Sequence, residues 1–327
     1  MLTLPPFTHH APTSVDEALA LLAQHKDALL IAGGTDLVPN MKHGLRSPAH
    51  LVSLRGLSSL AYTREENGEI LLGATTLIQT LADDALVKKR LPALAEAAAQ
   101  IAGPQLRRMG TLGGNLCLDT RCVYINQTHF WRRALGFCLK KDGTVCHVVK
   151  SGKRCVAAAS NDTAPVLMTL GASVVLQSKH NVRRVPLTEF YVSDGIRNTV
   201  IGDDEILVEA RIPAPRTGLC MAYEKLRQRE AIDFPALGVA VTLSLDAQGL
   251  LETIRLAVTG LAARPQMVRC DDLAGRTVDE ATAEAARHAF KQCHPLTNIN
   301  IDPEWRREMI PIFVRRAIRR ALSSPRR

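Results

Sequence analysis

Cysteine is concentrated in one segment of this 327-residue chain, which contains eight cysteines in all. Five of them lie within 39 residues, at Cys117, Cys122, Cys138, Cys146 and Cys155. Thiols that crowd together in a reducing compartment more often serve metals or catalysis than disulfides. The segment is therefore predicted to hold a metal, and the competing interpretation is a solvated basic loop whose thiols are incidental.

The last four of these cysteines are separated by 15, 7 and 8 residues. This spacing matches neither the paired CxxC of zinc fingers nor the run found in bacterial ferredoxins. Four thiolates on one loop can nevertheless hold a [4Fe–4S] cluster, because each thiolate needs to reach only one iron. Zinc also suits four thiolates, and His129 or His147 could replace one of them, but zinc would only brace the loop whereas the cluster would relay electrons.

Two glycine-rich loops form a second chemical pattern. Gly33-Gly34-Thr35-Asp36 directly follows an apolar strand, and Gly110-Thr111-Leu112-Gly113-Gly114-Asn115 repeats the same character. Adjacent glycines let backbone N–H groups approach an anion such as a pyrophosphate. The glycine spacing is neither the Rossmann GxGxxG nor the Walker loop. Each loop alone could be an ordinary turn, but the pair favours one extended phosphorylated cofactor held at two places.

The surrounding elements are predicted from hydrophobic periodicity. The first 115 residues alternate helices (Val15 to Gln24, and Leu81 to Ile101) with strands such as Ala28 to Ala32. A basic, loop-like insert follows from Cys117 to Ala159, and the helix-to-strand pattern returns from Asp162 to Leu176. The prolines and glycine of 213–218 predict a linker. We therefore expect one domain over 1–215 and a smaller α+β domain over 216–327.

Composition excludes several classes of protein. The chain is 46% hydrophobic, with a formal net charge of +9, and has no apolar run near the roughly 18 residues of a membrane span. The start of the chain shows no secretory signal, so a cytoplasmic location without membrane association is expected. The segment from Glu304 to Leu322 is an amphipathic helix with an arginine-rich face. No aromatic residue interleaves Arg315, Arg316, Arg319 and Arg320, so docking on its own domain or on an acidic partner subunit is favoured over nucleic-acid binding.

Four motifs together carry a family resemblance: AGGTDL at 32–37, TLGGNL at 111–116, NDTAPVL at 161–167 and GLAARP at 260–265. With them the chain resembles the FAD-binding medium subunits of the molybdenum hydroxylase (xanthine oxidase) family over nearly its whole length. The resemblance implies an α+β fold with α/β patterning. It comprises a two-subdomain FAD-binding PCMH-type domain carrying the insert, followed by a smaller C-terminal flavoprotein domain.

The resemblance also implies which residues bind FAD. The first loop and its strand would hold the pyrophosphate through Leu30, Ile31, Ala32, Gly33, Gly34, Thr35, Asp36 and Leu37. The second loop would surround the rest of the diphosphate and the ribityl chain through Gly110, Thr111, Gly113, Gly114 and Asn115. Asp162 matches the carboxylate that binds the flavin chain, Ile101 and Ile232 match positions on the isoalloxazine ring, and Lys225 is a further candidate.

The insert narrows the resemblance to the β subunits of the 4-hydroxybenzoyl-CoA reductases, whose FAD domain has an added [4Fe–4S] loop. The ligand positions implied are Cys122, Cys138, Cys146 and Cys155, and Cys117 is left out because it adjoins the second glycine loop. Eight basic residues against two acidic ones give the insert a positive field that could attract an acidic electron carrier.

The expected role is electron transfer, with no catalytic residue on this chain. No pterin-binding pattern and no plant-type ferredoxin run occurs here, so the molybdenum cofactor and [2Fe–2S] clusters are expected on partner subunits. The resemblance implies an (αβγ)2 assembly with reduced ferredoxin as electron donor. Two rival interpretations are a flavin subunit of another molybdenum hydroxylase, passing electrons to NAD or a quinone, and a zinc-braced scaffold without redox function.

Overall fold

The structure is a computed structural model that describes residues 2–323. Its strands are β1 (Thr8–His10), β2 (Ala28–Ile31), β3 (His50–Ser53), β4 (Thr63–Glu66), β5 (Glu69–Gly73), β6 (Ser173–Gln177), β7 (Val182–Pro186), β8 (Ile206–Pro213), β9 (Cys220–Leu226), β10 (Leu237–Leu245), β11 (Leu251–Thr259) and β12 (Gln266–Val268). Its α-helices are α1 (Val15–Gln24), α2 (Leu37–Lys42), α3 (Ile78–Asp83), α4 (Ala85–Arg90), α5 (Pro92–Ala99), α6 (Pro104–Arg107), α7 (Leu112–Leu116), α8 (His129–Ala134), α9 (Thr163–Thr169), α10 (Leu187–Phe190), α11 (Val278–Gln292) and α12 (Pro303–Ser323).

The amino-terminal unit is a parallel sheet of order β1-β3-β2 covered by α1. Ser14 begins the helix by accepting a hydrogen bond from the Glu17 amide at 3.1 Å. Leu19 and Leu22 of α1 are buried with Val52 in one apolar cluster. The helix therefore occupies the residues predicted for it, and the sheet sets the direction in which β2 enters the first glycine loop.

A second sheet, of order β4-β5-β8-β6-β7, contains only antiparallel pairs and packs against α3, α5 and α9. The helical periodicity predicted over 81–101 belongs to three short helices, α3, α4 and α5, in succession. Asp84 ends α3 and caps α4, accepting from the Val87 amide at 2.9 Å. Pro92 then opens α5, where its missing N–H costs nothing.

The carboxy-terminal domain is an antiparallel sheet of order β12-β11-β10-β9 covered by α11 and α12. The apolar face of α12, including Phe313 and Ile318, is buried on this sheet. The amphipathic helix therefore docks on its own domain, which is one of the two protein-docking alternatives expected from the sequence. The other face of the same sheet contributes Tyr223, Ala240 and Ala257 to the core of the first domain. The two-domain α+β fold predicted from the sequence is confirmed.

The segment between Cys117 and Ala159 is mostly irregular, as predicted, and contains the short helix α8. Thr128 caps this helix by accepting from the Trp131 amide at 3.2 Å. The segment packs back onto the amino-terminal unit through α2 and onto the carboxy-terminal domain through Asn298. Among residues 2–323, no helix has the length and apolar character needed to cross a membrane.

Candidate flavin and iron–sulfur sites

The two glycine loops lie directly against each other. A Cβ atom on Gly33 would meet the Met109 carbonyl oxygen at 2.0 Å and the Gly110 Cα at 2.9 Å. Gly34 adopts a φ of +69°, which glycine reaches without strain. A Cβ atom on Gly110 would lie 3.5 Å from the hydroxyl oxygen of Thr35. The paired loops are therefore one surface, as an extended cofactor held at two places requires.

Side-chain hydrogen bonds hold the second glycine loop in place. Thr111 caps α7, accepting from the Gly114 amide at 3.1 Å. Asn115 accepts from both the Thr163 hydroxyl at 2.6 Å and the Thr163 amide at 3.2 Å. The side-chain oxygen of Asn115 therefore ties the loop to the start of α9. Its contribution to a cofactor site lies in positioning the loop.

Asp162 lies at the junction of the two domains and is 2% exposed. The hydroxyl of Tyr223 donates to its Oδ1 at 2.7 Å, and the Lys225 ammonium lies 2.9 Å from the same oxygen. Burial raises the pKa of Asp162, while the ammonium of Lys225 opposes that rise. Lys225 also donates to the Gln100 carbonyl at 3.0 Å, directly before Ile101. Two of the predicted flavin residues therefore form one buried ion pair.

The two isoleucines expected at the flavin ring are brought to one place. The Ile232 amide donates to the Ala102 carbonyl at 3.0 Å, next to Ile101. Ile232 has a φ of +71° and is 61% exposed, and Ala102 has a φ of +45°. A β-branched residue at positive φ is rare, and such strain clusters at ligand clamps and active sites. Here it holds an apolar side chain out of the core.

Other predicted residues line an open region instead of a closed pocket. Those of the first loop are half-buried, except for the exposed Thr35, and comprise Leu30, Ile31, Ala32, Gly33, Gly34, Asp36 and Leu37. Around them, large apolar side chains remain exposed, namely Leu77, Leu106, Met109, Ile232 and Phe234. Exposed apolar side chains around a glycine-rich loop fit a flat aromatic ligand that carries a diphosphate.

The four cysteines predicted as cluster ligands line a single cavity whose empty space, including its mouth, is about 290 Å³. Cys122, Cys138, Cys146 and Cys155 are each at most 9% exposed. Cys117 is exposed and does not line this cavity. The structure therefore brings the four predicted cysteines together around one cavity and leaves Cys117 outside it.

Among the described residues, the four sulfurs are not grouped as tightly as the ligands of one bound zinc ion. Tetrahedral zinc with Zn–S bonds of about 2.3 Å brings its sulfurs about 3.8 Å apart. Within the part of the chain that the structure describes, no three of these sulfurs lie within 4.8 Å of one another. Burial raises the pKa of Cys122 to about 11, and the other three thiols add to the rise. Four buried thiols around one cavity suit either a single ion or a polynuclear cluster in which each sulfur binds a different iron.

The positive field predicted for the insert is smaller than its composition indicates, because three of its eight cations are used internally. Arg132 is 1% exposed and donates to the His43 carbonyl at 3.2 Å. Lys140 lies 2.7 Å from Asp119, and Arg121 forms an ion pair with Asp36. The exposed cations that remain in the segment are Arg133, Lys150, Lys153 and Arg154.

Sequence reasoning missed three residues of this region. Tyr223 lies two positions before Lys225 on a predicted strand, so strand periodicity places both on one face and could have indicated it. Arg121 and Phe234 had no such signal, since their contacts join distant segments. The Arg121 guanidinium lies 4.9 Å from the centre of the Phe234 ring.

Comparison with known proteins bears on this geometry. Residues 5–215 match the family described as the FAD binding domain in molybdopterin dehydrogenase, and residues 221–321 match the CO dehydrogenase flavoprotein C-terminal domain. The carbon monoxide dehydrogenase medium chain of Hydrogenophaga pseudoflava is 32% identical over 97% of each chain. The xanthine dehydrogenase FAD-binding subunit of Escherichia coli O157:H7 is 28% identical over 97% of this chain and 96% of its own.

Solved structures agree with the sequence comparison. The structure of carbon monoxide dehydrogenase from Hydrogenophaga pseudoflava superposes with a TM-score of 0.81 at 31% identity, covering 98% of this chain and 99% of that chain. Quinoline 2-oxidoreductase from Pseudomonas putida 86 gives a TM-score of 0.80 at 26% identity, covering 98% of both chains. The paired glycine loops, the two matched domains and these relatives lead to one conclusion: the chain belongs to the FAD-binding medium subunits of the molybdenum hydroxylase family.

Proposed function

We propose that this chain is the FAD and [4Fe–4S] electron-transfer subunit of a 4-hydroxybenzoyl-CoA reductase, passing electrons from reduced ferredoxin towards a molybdenum subunit that reductively dehydroxylates 4-hydroxybenzoyl-CoA to benzoyl-CoA. The observation that carries the proposal is the set of four buried cysteines around one cavity, beside a flavin-binding surface. FAD suits this role because it exchanges one or two electrons, and the cluster exchanges one.

The chain's own residues would hold these groups in place. The first glycine loop would offer its backbone N–H groups to the FAD diphosphate. The second loop, whose Gly110, Gly113 and Gly114 amides donate within the fold, would hold the first loop in place. The ion pair of Asp162 with Lys225 fixes the segment before Ile101. The exposed side chain of Ile232 would pack on the isoalloxazine ring. In the cysteine cavity, apolar neighbours such as Ile125 and Ala157 exclude water from the sulfurs.

The exposed surface of the insert supports a docking partner that donates electrons. Phe130 is 83% exposed and Trp131 is 39% exposed, both on α8. Arg133 lies next to them and is exposed as well. Exposed aromatic side chains beside an exposed guanidinium suit a transient contact with an acidic protein. Reduced ferredoxin is the donor we propose for this surface.

The assembly follows from what this chain lacks in its sequence. The molybdenum cofactor and the [2Fe–2S] clusters would belong to two partner subunits, in an (αβγ)2 arrangement located in the cytoplasm. Several curated relatives are named as subunits or chains of dehydrogenases, which supports a multi-subunit context.

The relatives also favour a second candidate function. They are named for carbon monoxide, xanthine and quinoline oxidoreductases, so this chain could equally serve another molybdenum hydroxylase and pass electrons from substrate to NAD or a quinone. The third interpretation, a zinc-braced scaffold without redox function, does not account for the match of residues 5–215 to an FAD binding domain.

Metal and flavin analysis of anaerobically purified chain tests the proposal. We expect one FAD with about four irons and four acid-labile sulfides, and an EPR signal on reduction. Cys138→Ser should lose the iron and keep the flavin, because the glycine loops lie outside the insert. The matched control Cys117→Ser should keep both, since Cys117 does not line the cavity. Flavin without iron would favour the second function, and zinc without sulfide or flavin would favour the scaffold.

A further inference from the structure

Three histidines form a cluster that neither the flavin surface nor the cysteine cavity includes. His10 ends β1, His25 follows the last residue of α1, and His50 begins β3. Their potential donor nitrogens all lie within 4.8 Å of one another, which no other trio of such ligands achieves within residues 2–323. All three side chains are half-buried, so an ion can reach them from solvent.

The spacing of two of these side chains is that of ligands to one ion. The Nε2 atom of His10 lies 3.0 Å from the Nδ1 atom of His50. Zn–N bonds of about 2.0–2.1 Å in a tetrahedron place two ligating nitrogens about 3.3 Å apart. A hydrogen bond between two neutral imidazoles gives the same distance, so this pair alone does not identify a metal site.

His25 is the observation that separates these two interpretations. Its ring lies 3.8 Å from the ring of His50 and 5.2 Å from that of His10, measured between centroids. A hydrogen bond between His10 and His50 needs no third imidazole, whereas a metal site with three protein ligands does. The three histidines come from separate elements and meet at one place.

Hydrogen-bonded backbone holds the Cα atoms of these histidines in place. Thr8 stands opposite His50 in the parallel pairing of β1 with β3. The His25 amide donates to the Leu21 carbonyl at the end of α1, and its own carbonyl accepts from the Ala28 amide as β2 begins. Each imidazole is therefore attached to hydrogen-bonded backbone. This limits the side-chain and backbone motion that is lost when an ion binds.

Strand β2 separates this cluster from the predicted flavin loop. His25 precedes the strand, and Ala32 follows its last residue. Four residues of strand span about 13 Å. The histidines therefore lie at the opposite end of β2 from the flavin loop and form a site of their own.

We propose that His10, His25 and His50 bind a divalent transition metal ion of the zinc class, with water completing the coordination. Imidazole nitrogen suits zinc, copper and nickel. On binding, the ion replaces the hydrogen bond between His10 and His50, and the His25 ring swings off its stack on His50. The bound ion joins α1, β1 and β3, so its role is to stabilise the amino-terminal unit that carries the flavin loop.

Zinc binding to the full flavin-loaded chain tests this site. Wild-type protein is equilibrated with Zn²⁺, washed, and analysed for zinc by mass spectrometry. We expect His25→Ala and His50→Ala to hold one zinc fewer per chain than wild type. The matched control His9→Ala removes an exposed neighbouring histidine and should hold as much zinc as wild type. Zinc bound at the cysteines is common to all four proteins and cancels.

Thermal melting gives a second readout. Zn²⁺ should raise the melting temperature of wild type and His9→Ala by a few degrees, and should leave that of His25→Ala unchanged. Equal zinc content and equal shifts in wild type and His25→Ala would overturn the proposal. If the variants fold poorly, anomalous diffraction at the zinc edge from zinc-soaked wild-type crystals decides instead. We expect a peak between the three rings, and its absence would also overturn the site.

Discussion

Arg121 of the cysteine insert forms an ion pair with Asp36 of the first glycine loop. The two side chains are only 17% and 24% exposed, and burial lowers the pKa of Arg121 to about 10. Arg121 immediately precedes Cys122, and Asp36 belongs to the surface predicted to hold the flavin diphosphate. The contact therefore joins the two proposed redox sites through one side-chain pair.

Asp36→Asn should weaken both sites. The substitution leaves the largely buried Arg121 cation without its counter-charge. Breaking an exposed ion pair costs about 0.2–1 kcal/mol of stability, and breaking a fully buried one costs about 3–5 kcal/mol. We expect the loss for this partly buried pair to lie between these values. Iron content and flavin content, measured on the same anaerobic preparation, should both fall. Since Asp36 lies outside the insert, a drop in iron is the informative result.

The matched control for this substitution is Asp16→Asn, an exposed position in the first turn of α1. It removes the same charge without touching either site and should leave both contents at the wild-type level. Wild-type iron content in Asp36→Asn would show that the ion pair does not couple the two loops.

Gly33→Ala should abolish flavin binding, because the new methyl group would lie 2.0 Å from the Met109 carbonyl oxygen. Backbone atoms on both sides of this contact cannot rotate away, so the loops must separate. We expect flavin content to fall at least about tenfold, which corresponds to about 1.4 kcal/mol of binding free energy. Absorbance of the purified protein at flavin wavelengths measures it.

Gly56→Ala is the control for Gly33→Ala, since its added methyl group would meet only the Pro12 carbonyl oxygen at an ordinary 3.7 Å. It should retain a full complement of flavin. Normal flavin binding by Gly33→Ala would mean that the close contact between the loops is not needed for the site.

Local sequence patterns predicted the parts of the site better than their assembly. The strand Ala28–Ile31 and the two glycines that follow it could be predicted because apolar runs and glycine turns are local signals. The contact of Gly33 with Met109 depends on how two distant loops meet, which periodicity does not encode. In the same way, the crowding of the cysteines predicted a metal site. A count of charges could not show that Arg132 and Lys140 make their contacts inside the fold.

Ile232→Gly tests whether strain at this position serves the flavin. Glycine accepts the φ of +71° freely, so the substitution should stabilise the flavin-free chain by about 1 kcal/mol. It also removes the exposed side chain expected against the flavin ring, so flavin affinity should fall. Thermal melting without flavin and fluorescence titration with FAD measure the two effects separately.

Asn67→Gly provides the comparison, because Asn67 also has a positive φ of 51° but lies in the turn between β4 and β5. Asparagine tolerates this conformation, so the gain in stability should be smaller and the affinity for FAD unchanged. Unaltered FAD affinity in Ile232→Gly would remove this residue from the flavin site.

Glu205→Gln should destabilise the first domain in a pH-dependent manner. Arg183 donates to both carboxylate oxygens of Glu205, at 2.6 and 2.8 Å, and the Gly202 amide donates at 2.6 Å. The Arg183 hydrogen bonds hold the pKa of Glu205 below its ordinary value. A lowered carboxyl pKa stabilises the fold above the unfolded-state pKa of about 4.3, and this contribution is lost as pH falls through the lower folded-state pKa.

Urea unfolding at pH 7 should therefore show Glu205→Gln to be less stable than wild type by about 1–2 kcal/mol, a figure reduced because Arg183 is 38% exposed. The difference should shrink as the pH drops below about 4. Asp203→Asn, at a side chain that is 95% exposed, should change little at either pH. A difference between Glu205→Gln and wild type that persists undiminished in acid would mean that packing, and not the charge on Glu205, sets its contribution.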